Sequence, residues 1–162
     1  MNCPVCGKKT IKKSALHHYT ESGLDNVFLE TDVYKCKCGE VIPNIPNIYG
    51  LHGLIAKDLV RKDSPLTGNE LKFLRKQMNL KANELAQILS VHKVTVSRWE
   101  NEAEKISIGY DKLIRFLYTQ MLQEKCNNIV KIVADIKEIR SGAKREKIVI
   151  PQKEMREAIC HL

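Results

Sequence analysis

Apolar residues between positions 81 and 102 recur at three- and four-residue steps, a spacing typical of two short helices that pack together. The pattern predicts a helix over residues 82–89, a turn at residues 90–92 and a second helix over residues 93–101. Ala86 is small where two helices crossing at a steep angle would touch. The apolar positions are Leu85, Leu89, Val91, Val96 and Trp99.

The flanking residues extend this pair into an all-helical unit. Thr67 and Glu70 have the spacing of a capping box and predict the start of a preceding helix. On spacing alone, the pattern fits an ordinary amphipathic helix pair equally well. Many turns between such helices use Gly where this chain has Ser90, because Gly adopts positive φ without steric cost, so a strained or altered turn is expected here. The predicted stripe of the preceding helix is Leu71, Phe73, Leu74 and Met78, and later apolar positions are Ile106, Ile108, Leu113, Ile114, Phe116, Leu117, Met121 and Leu122.

Residues 66–122 resemble the helix-turn-helix domain of the Cro/repressor (XRE) superfamily, and TVSRWEN at residues 95–101 is the most characteristic stretch. The resemblance implies that the exposed face of the second helix reads base edges. Arg98 is the leading base-reading candidate, because an arginine fork can bond O6 and N7 of guanine. The base-reading candidates are Arg98, Lys93, Ser97 and Val94, and the phosphate-contact candidates are Thr95, His92, Lys81 and Asn101.

These candidates differ in what they can contribute. Lys93 could read a base or meet a phosphate. Val94 could offer only apolar contact with a thymine methyl group. Each charged residue also fits an ordinary solvated surface position.

Charge agrees with a nucleic-acid partner. The chain of 162 residues has a formal net charge of +8 and a pI near 9.2. Residues 125–162 hold nine Lys or Arg against five Asp or Glu, so half of the excess lies in the C-terminal region. No apolar run approaches the roughly 18 residues that a membrane span needs, and the N-terminus lacks a secretory signal. We therefore expect a soluble, cytoplasmic, nucleoid-associated protein without a membrane partner.

Four of the six cysteines form two N-terminal pairs, CPVCG with Cys3 and Cys6 and CKCG with Cys36 and Cys38. Disulfides are rare inside cells, so metal binding is the better interpretation. A Gly after each pair lets the backbone turn its amides towards a thiolate. Four thiolates would satisfy one tetrahedral Zn²⁺, and such a closed site is structural.

The second pair is CxC, whereas two CxxC pairs would be a stronger signal. His17 or His18 in place of one thiolate therefore stays open. Cys36 and Cys38 could also be reduced thiols on one face of a strand.

Strands are predicted between the two cysteine pairs, at residues 17–20, 27–31 and 33–36, with a turn at Gly23 and Asp25. About 40 residues of this kind have too little core to fold reliably alone. Zinc would supply the missing stability.

In combination, these motifs resemble zinc-ribbon plus helix-turn-helix proteins of the MqsA (YgiT) antitoxin type. The resemblance is carried by MNCPVCG at residues 1–7, YTESGLDNVFLE at 19–30, YKCKCGE at 34–40 and LTGNELKFLRK at 66–76, besides TVSRWE. It implies a structural zinc domain that can dock a protein, and a dimeric helix-turn-helix domain that represses transcription. In such antitoxins the zinc domain holds an mRNA-cleaving toxin, but the motifs identify no toxin-contact residue in this chain.

The expected architecture is α+β: a small β-rich zinc ribbon over residues 1–42, a linker with a short helix over 43–65, the helix-turn-helix domain over 66–122, and a helical C-terminal extension over 123–162. The extension is a candidate dimerisation element. The apolar residues of the linker helix are Leu51, Leu54, Ile55, Leu59 and Val60.

Two patterns lie within the extension. An amphipathic helix that would pack on its own domain or form a dimer interface is predicted by Ile129, Ile132, Val133, Ile136 and Ile139. Residues 147–151 predict a short strand. Cys126, Cys160 and His161 are too scattered for a second metal site.

No GxGxxG, P-loop, HExxH or zinc-deaminase motif is present, so an enzyme is not expected. The sequence predicts a DNA-binding regulator, a repressor or alternatively an antitoxin that neutralises a toxin and regulates its own synthesis. One recognition helix covers a half-site. A homodimer on a palindromic double-stranded operator, with half-site centres about 34 Å apart, is therefore expected.

Overall fold

The computed structural model of the protein describes residues 1–123 and 147–157. The strands are β1 (Ile11–His18), β2 (Val27–Lys35), β3 (Val41–Pro43) and β4 (Ile148–Pro151). The helices are α1 (Ile48–Arg61), α2 (Gly68–Gln77), α3 (Ala82–Ile88), α4 (Lys93–Glu100), α5 (Ile108–Gln123) and α6 (Gln152–Glu157). The predicted α+β fold class is confirmed.

The strands form one mixed sheet with β2 at its centre. β1 and β3 pair with β2 antiparallel, and β4 pairs with it parallel. The sequence placed strands at residues 27–31 and 33–36, whereas the structure has one continuous strand, in which Asp32 accepts a salt bridge from Lys12 on β1 at 2.9 Å. The first strand was predicted at residues 17–20, but β1 begins at Ile11. Most of its residues are exposed, so the sequence has no buried apolar stripe that marks its start.

Alternate residues of β2 point into the core. Val27, Leu29, Thr31 and Val33 are buried, as the two-residue period of a strand requires when one face is covered. Helices α1 and α6 both contact β4 or β2 and each other. The sheet is therefore covered by a helix that precedes the helix-turn-helix segment and by one from the C-terminal region.

Helix α1 occupies much of the segment expected to be a linker. Its cap is Asn47, whose side chain accepts a hydrogen bond from the backbone N–H of Gly50 at 2.9 Å. The predicted apolar positions are all buried, and they join the same hydrophobic cluster as residues of the sheet and of the helix-turn-helix segment: Leu51, Leu54, Ile55, Leu59 and Val60. The predicted division into modules stays a prediction.

The C-terminal region contributes to the N-terminal sheet. The predicted strand at residues 147–151 is confirmed as β4, and Ile148 and Ile150 are buried beside β2. The predicted apolar stripe at residues 129–139 lies outside the described residues, as do Cys126, Cys160 and His161. None of the helices in the described ranges combines the length and the apolar character that crossing a membrane requires.

Candidate metal centre and nucleic-acid interface

The sheet register brings the two cysteine pairs together. Ile11, near the first pair, lies opposite Lys35, which precedes the second. The first pair is anchored by an Asn2–Lys9 bridge and by a hydrogen bond from the N–H of Cys3 to the carbonyl of Lys8 at 2.8 Å. The second pair forms the turn between β2 and β3. Two segments about 30 residues apart in sequence thus meet at one end of the sheet.

The four cysteine sulfurs lie within 4.8 Å of one another. Cys3 Sγ is 3.7 Å from Cys38 Sγ, and Cys6 Sγ is 3.4 Å from Cys36 Sγ. A tetrahedral zinc ion with Zn–S bonds of about 2.3 Å holds its sulfurs about 3.8 Å apart. The spacing of the sulfurs therefore fits a zinc ion, and four cysteines close together could bind such a metal.

Backbone amides also point at the sulfurs. The pKa of Cys36 is lowered to about 7, first by the N–H of Cys38 and then by the thiol of Cys6. The N–H of Lys8 acts in the same direction on Cys6, but hydrogen bonds with the neighbouring thiols outweigh it and raise the pKa of Cys6 to about 12. Without a metal, the cluster stabilises the thiolate of Cys36 and disfavours the thiolate of Cys6. A bound cation removes this conflict, because it stabilises all four thiolates at once.

A glycine follows each cysteine pair and allows the backbone to turn there. Gly7 has φ of 70° and Gly39 has φ of 98°, both in the left-handed region. Gly7 donates its N–H to Cys3 O at 2.9 Å, and Gly39 donates to Cys36 O at 3.1 Å. The CxxC pair thus lies in a five-residue turn and the shorter CxC pair in a four-residue turn, and each turn ends at a left-handed glycine.

The histidine alternatives lie elsewhere. Among the described residues, one group of histidine, cysteine, aspartate or glutamate side chains lies close enough together to hold a metal ion. That group consists of these four cysteines. His18 stacks on Phe28 with ring centroids 4.7 Å apart, and its Nε2 lies 2.9 Å from the carbonyl of Asp25. His17 pairs with Leu29 near the other end of β1.

The helix-turn-helix consists of α3, the turn at residues 90–92 and α4, close to the predicted bounds. The predicted capping box of α2 is present, with Thr67 Oγ1 accepting from Glu70 N at 3.4 Å and Glu70 Oε2 accepting from Thr67 N at 2.7 Å. Ser90 has φ of 54°, so the turn uses a left-handed residue where a Gly was expected to be favourable.

Helix α4 has one buried and one exposed face. Val96 is completely buried and Trp99 is 3% exposed. Trp99 packs beside Tyr110, with ring centroids 5.0 Å apart. The exposed face contains all four base-reading candidates, Lys93, Val94, Ser97 and Arg98.

The other predicted contacts surround this face. His92 is the N-cap of α4, and its Nδ1 accepts from the N–H of Val94 at 3.3 Å. Asn101 donates from its amide to Ser97 Oγ at 3.4 Å. Lys81 is exposed at the start of α3, and Thr95 is half-buried. His92, Thr95 and Asn101 therefore lie on or at the ends of α4 with the base-reading candidates, whereas Lys81 belongs to α3.

Arg98 is held only loosely. Its side chain is 62% exposed and its Nη1 lies 4.0 Å from a carboxylate oxygen of Glu104. Exposed pairs of this kind contribute little to stability, about 0–1 kcal/mol. The guanidinium can leave Glu104 for a nucleic acid at little cost.

A partly buried ion pair fixes α4 to α2, and the sequence pattern did not predict it. Arg75 donates from Nε and Nη2 to the two carboxylate oxygens of Glu100, at 2.5 and 2.9 Å, and from Nη1 to Leu80 O at 2.8 Å. Gly68 also lies against α4. A Cβ at Gly68 would come within 2.5 Å of Trp99 O. The spacing of apolar residues contains no signal for either contact.

Comparison with known protein families agrees with this geometry. Residues 71–117 match the helix-turn-helix family model, a segment that runs from α2 to α5 and covers less than a third of the chain. No match was found among curated proteins or among solved structures. The segment is an XRE-type DNA-binding domain of a regulator family whose members are generally not enzymes. The resemblance of the whole chain to the MqsA type stays a prediction.

Proposed function

We propose that the protein is a sequence-specific transcriptional regulator, a repressor, that binds a palindromic double-stranded operator as a homodimer. The observation that carries the proposal is the exposed face of α4 within a domain that matches the helix-turn-helix family. Arg98, Lys93, Ser97 and Val94 read base edges in the major groove. Phosphates are contacted by Thr95, His92, Lys81 and Asn101.

The cysteine cluster holds one structural zinc ion through Cys3, Cys6, Cys36 and Cys38. The spacing of the sulfurs supports this role, and four protein ligands leave no position for a reacting water. The ion stabilises the end of the sheet that β1, β2 and β3 share. We place the protein in the cytoplasm, at the nucleoid.

Selection of bound sequences from a random pool of duplex DNA tests the regulator proposal. The full chain should enrich one sequence with two inverted half-sites. Their centres should lie about 34 Å apart, or a multiple of that distance. An enriched pool without any shared sequence would contradict specific recognition.

Metal analysis tests the zinc proposal. The purified chain should contain one zinc ion per molecule, and Cys3→Ser should lower both the zinc content and the midpoint of thermal unfolding. Cys160→Ser, at a cysteine that is not among the four, is the matched control. Zinc-free protein of unchanged stability would contradict a structural metal.

An antitoxin role is the second candidate, and the surface around the metal centre favours it. Val5 is 70% exposed and Ile11 is 68% exposed, so two large apolar side chains of the N-terminal part are available for contact with another protein. Co-expression of the genomic neighbour with this chain tests the role. The neighbour should be toxic alone and harmless with the wild-type chain, and Val5→Glu should weaken the protection. A harmless neighbour would leave the regulator without an antitoxin role.

A further inference from the structure

Strand β2 has one edge that two different strands share. β1 pairs with the other edge over nearly the whole length of β2, from Phe28 to Lys35. On the shared edge, β3 pairs with residues 33–35 and β4 pairs in parallel with residues 27–30. We call residues 27–30 of this edge the β2 edge. If β4 left, the β2 edge would offer unpaired N–H and C=O groups, and such a row is a template for another strand.

The β2 edge is occupied by a short segment from the C-terminal region. This segment, residues 147–157, contains β4 and α6, and we call it the C-terminal strap. The N–H of Ile148 donates to the carbonyl of Asn26 at 2.8 Å. Three apolar side chains anchor the strap in the core, because Ile148 is 9%, Ile150 is 2% and Met155 is 0% exposed. The strap thus binds as an extended peptide does when it joins a sheet, through its backbone and through alternate side chains.

The residues that alternate with the anchors of β4 face the other side of the sheet. Nζ of Lys147 lies 3.8 Å from the centre of the Phe28 ring, and Val149 is 40% exposed. A cation over an aromatic ring is attracted by the negative face of that ring. The β2 edge therefore holds a basic residue that is followed by two buried apolar residues at alternate positions.

A contact between like charges opposes the strap. Helix α6 packs on α1 and brings Glu154 within electrostatic reach of Asp58. Desolvation, and in addition the charge of Glu154, raise the pKa of the Asp58 carboxyl, although the neighbouring Lys57 and Arg61 act in the other direction. Segments that few buried side chains hold open before the rest of a structure unfolds. The strap combines few anchors with a repulsive contact, as a segment that leaves its site would.

We propose that the β2 edge is a docking site for an extended segment of another protein, and that the C-terminal strap is its autoinhibitory occupant. The strap leaves first, and the partner then supplies a parallel strand with a basic residue before two alternate apolar residues. Those are the groups that the β2 edge holds in this structure. The site lies at the end of β2 away from the cysteine pairs, and it does not depend on DNA binding by the proposed regulator.

Binding of a labelled peptide to the full chain tests this docking site. The peptide has the sequence of residues 147–157, and fluorescence anisotropy gives its dissociation constant. Ile150→Asp places a charge at a buried anchor and should release the strap, so this variant should bind the peptide at least about 10-fold more tightly than the wild type. Val149→Asp changes the exposed neighbour of that anchor and is the matched control, which should bind the peptide like the wild type.

Thermal unfolding shows whether Ile150→Asp is folded, and Ile148→Asp takes its place if it is not. A folded variant that does not bind the peptide, or a wild type that binds it as tightly, would overturn the proposal. A peptide of the same composition in scrambled order should bind neither protein. Equal binding of the scrambled peptide would also contradict a site that recognises alternate apolar residues.

Hydrogen exchange of the wild type tests release of the strap without any substitution. The backbone amides of β4 should exchange through local opening, before those of α1. Exchange of both only on global unfolding would overturn the autoinhibitory role. Sedimentation of the wild type identifies a second copy as the occupant: a dimer that the peptide converts to monomers would assign the β2 edge to the partner copy's strap and contradict docking of another protein. None of these measurements involves DNA, so the regulator proposal succeeds or fails separately.

Discussion

Arg115 and Asp111 lie one turn apart on α5 and form a buried ion pair, with Nε donating to a carboxylate oxygen at 2.5 Å. The guanidinium also donates to the carbonyls of Val60, Lys62 and Ser64, at 3.1, 2.7 and 2.8 Å. The other carboxylate oxygen of Asp111 accepts from the N–H of Leu66 at 2.6 Å. This network joins the end of α1 to the DNA-binding domain.

Arg115→Met should therefore be severely destabilising. It leaves Asp111 and the carbonyls buried without their donor, and breaking a buried pair in this way costs about 3–5 kcal/mol. Lys12→Met breaks the exposed pair with Asp32 and should cost less than about 1 kcal/mol. Urea unfolding gives both free energies. Equal effects of the two changes would show that the network does not hold α1.

Gly68 should tolerate no side chain. A Cβ at this position would lie 2.5 Å from Trp99 O and 2.7 Å from Glu100 O, and both atoms belong to the backbone of α4. Gly68→Ala should cost about 1–3 kcal/mol, as overpacking usually does, and should weaken DNA binding because α4 is displaced.

Gly53→Ala is the matched control for Gly68→Ala. Gly53 lies within α1 with nothing within 4 Å of a new Cβ, so alanine there should stabilise the helix by about 0.5–1 kcal/mol. Thermal unfolding of the two variants decides the comparison. A stabilising Gly68→Ala would contradict the close approach of α2 and α4.

The turn of the helix-turn-helix should improve with glycine. Ser90 has φ of 54°, which is strained for a residue with a Cβ. Ser90→Gly removes that strain but adds entropy to the unfolded chain, and a net gain of about 0.5 kcal/mol is expected. Ser14→Gly, at an exposed position in β1, should instead be destabilising. Loss of stability in Ser90→Gly would show that the serine side chain contributes more than its strain costs.

The sequence predicted the features that follow a regular period or a known motif. The helix bounds around Ser90, the capping box of α2 and the cysteine cluster belong to this group. The sequence patterns treat a charge as exposed, so Arg115 and Asp111 gave no sign of being buried. The predicted break between residues 31 and 33 falls on Asp32, which the structure keeps within β2 and pairs with Lys12 of the neighbouring strand. Contacts between distant segments decide these cases, and local spacing does not contain them.

His52 should make stability depend on pH. It lies between Tyr19 Oη, at 3.0 Å, and the amide nitrogen of Gln77, at 3.3 Å, and burial lowers its pKa. The folded state thus binds this proton less readily than the unfolded chain does. Stability is then lost as pH falls through about 6.5 towards the lower folded pKa.

Urea unfolding at neutral pH and at about pH 5.5 tests this linkage through His52→Gln. Other groups titrate in the same range, so the informative quantity is the difference between the wild type and the variant. The wild type should lose more stability than His52→Gln on acidification. An identical loss in both proteins would mean that His52 does not contribute.

Arg98 gives the most direct test of the DNA-binding account. On the sequence selected from the random pool, Arg98→Ala should lose about 1–3 kcal/mol of discrimination against a changed guanine, about 5- to 150-fold in relative affinity. Arg98→Lys keeps the charge but not the planar fork, so it should lose discrimination while keeping the salt dependence of binding. Lys72→Ala, at an exposed lysine on α2, is the control and should leave the discrimination unchanged.

The decisive measurement compares two affinities for each protein, one for the selected duplex and one for the same duplex with the guanine changed. The ratio of the two affinities is determined for the wild type, for Arg98→Ala and for Arg98→Lys. The account predicts a ratio that falls towards one in both variants, while their thermal unfolding stays like that of the wild type. A ratio that is unchanged in Arg98→Ala would contradict the assignment of α4 as the helix that reads DNA through Arg98.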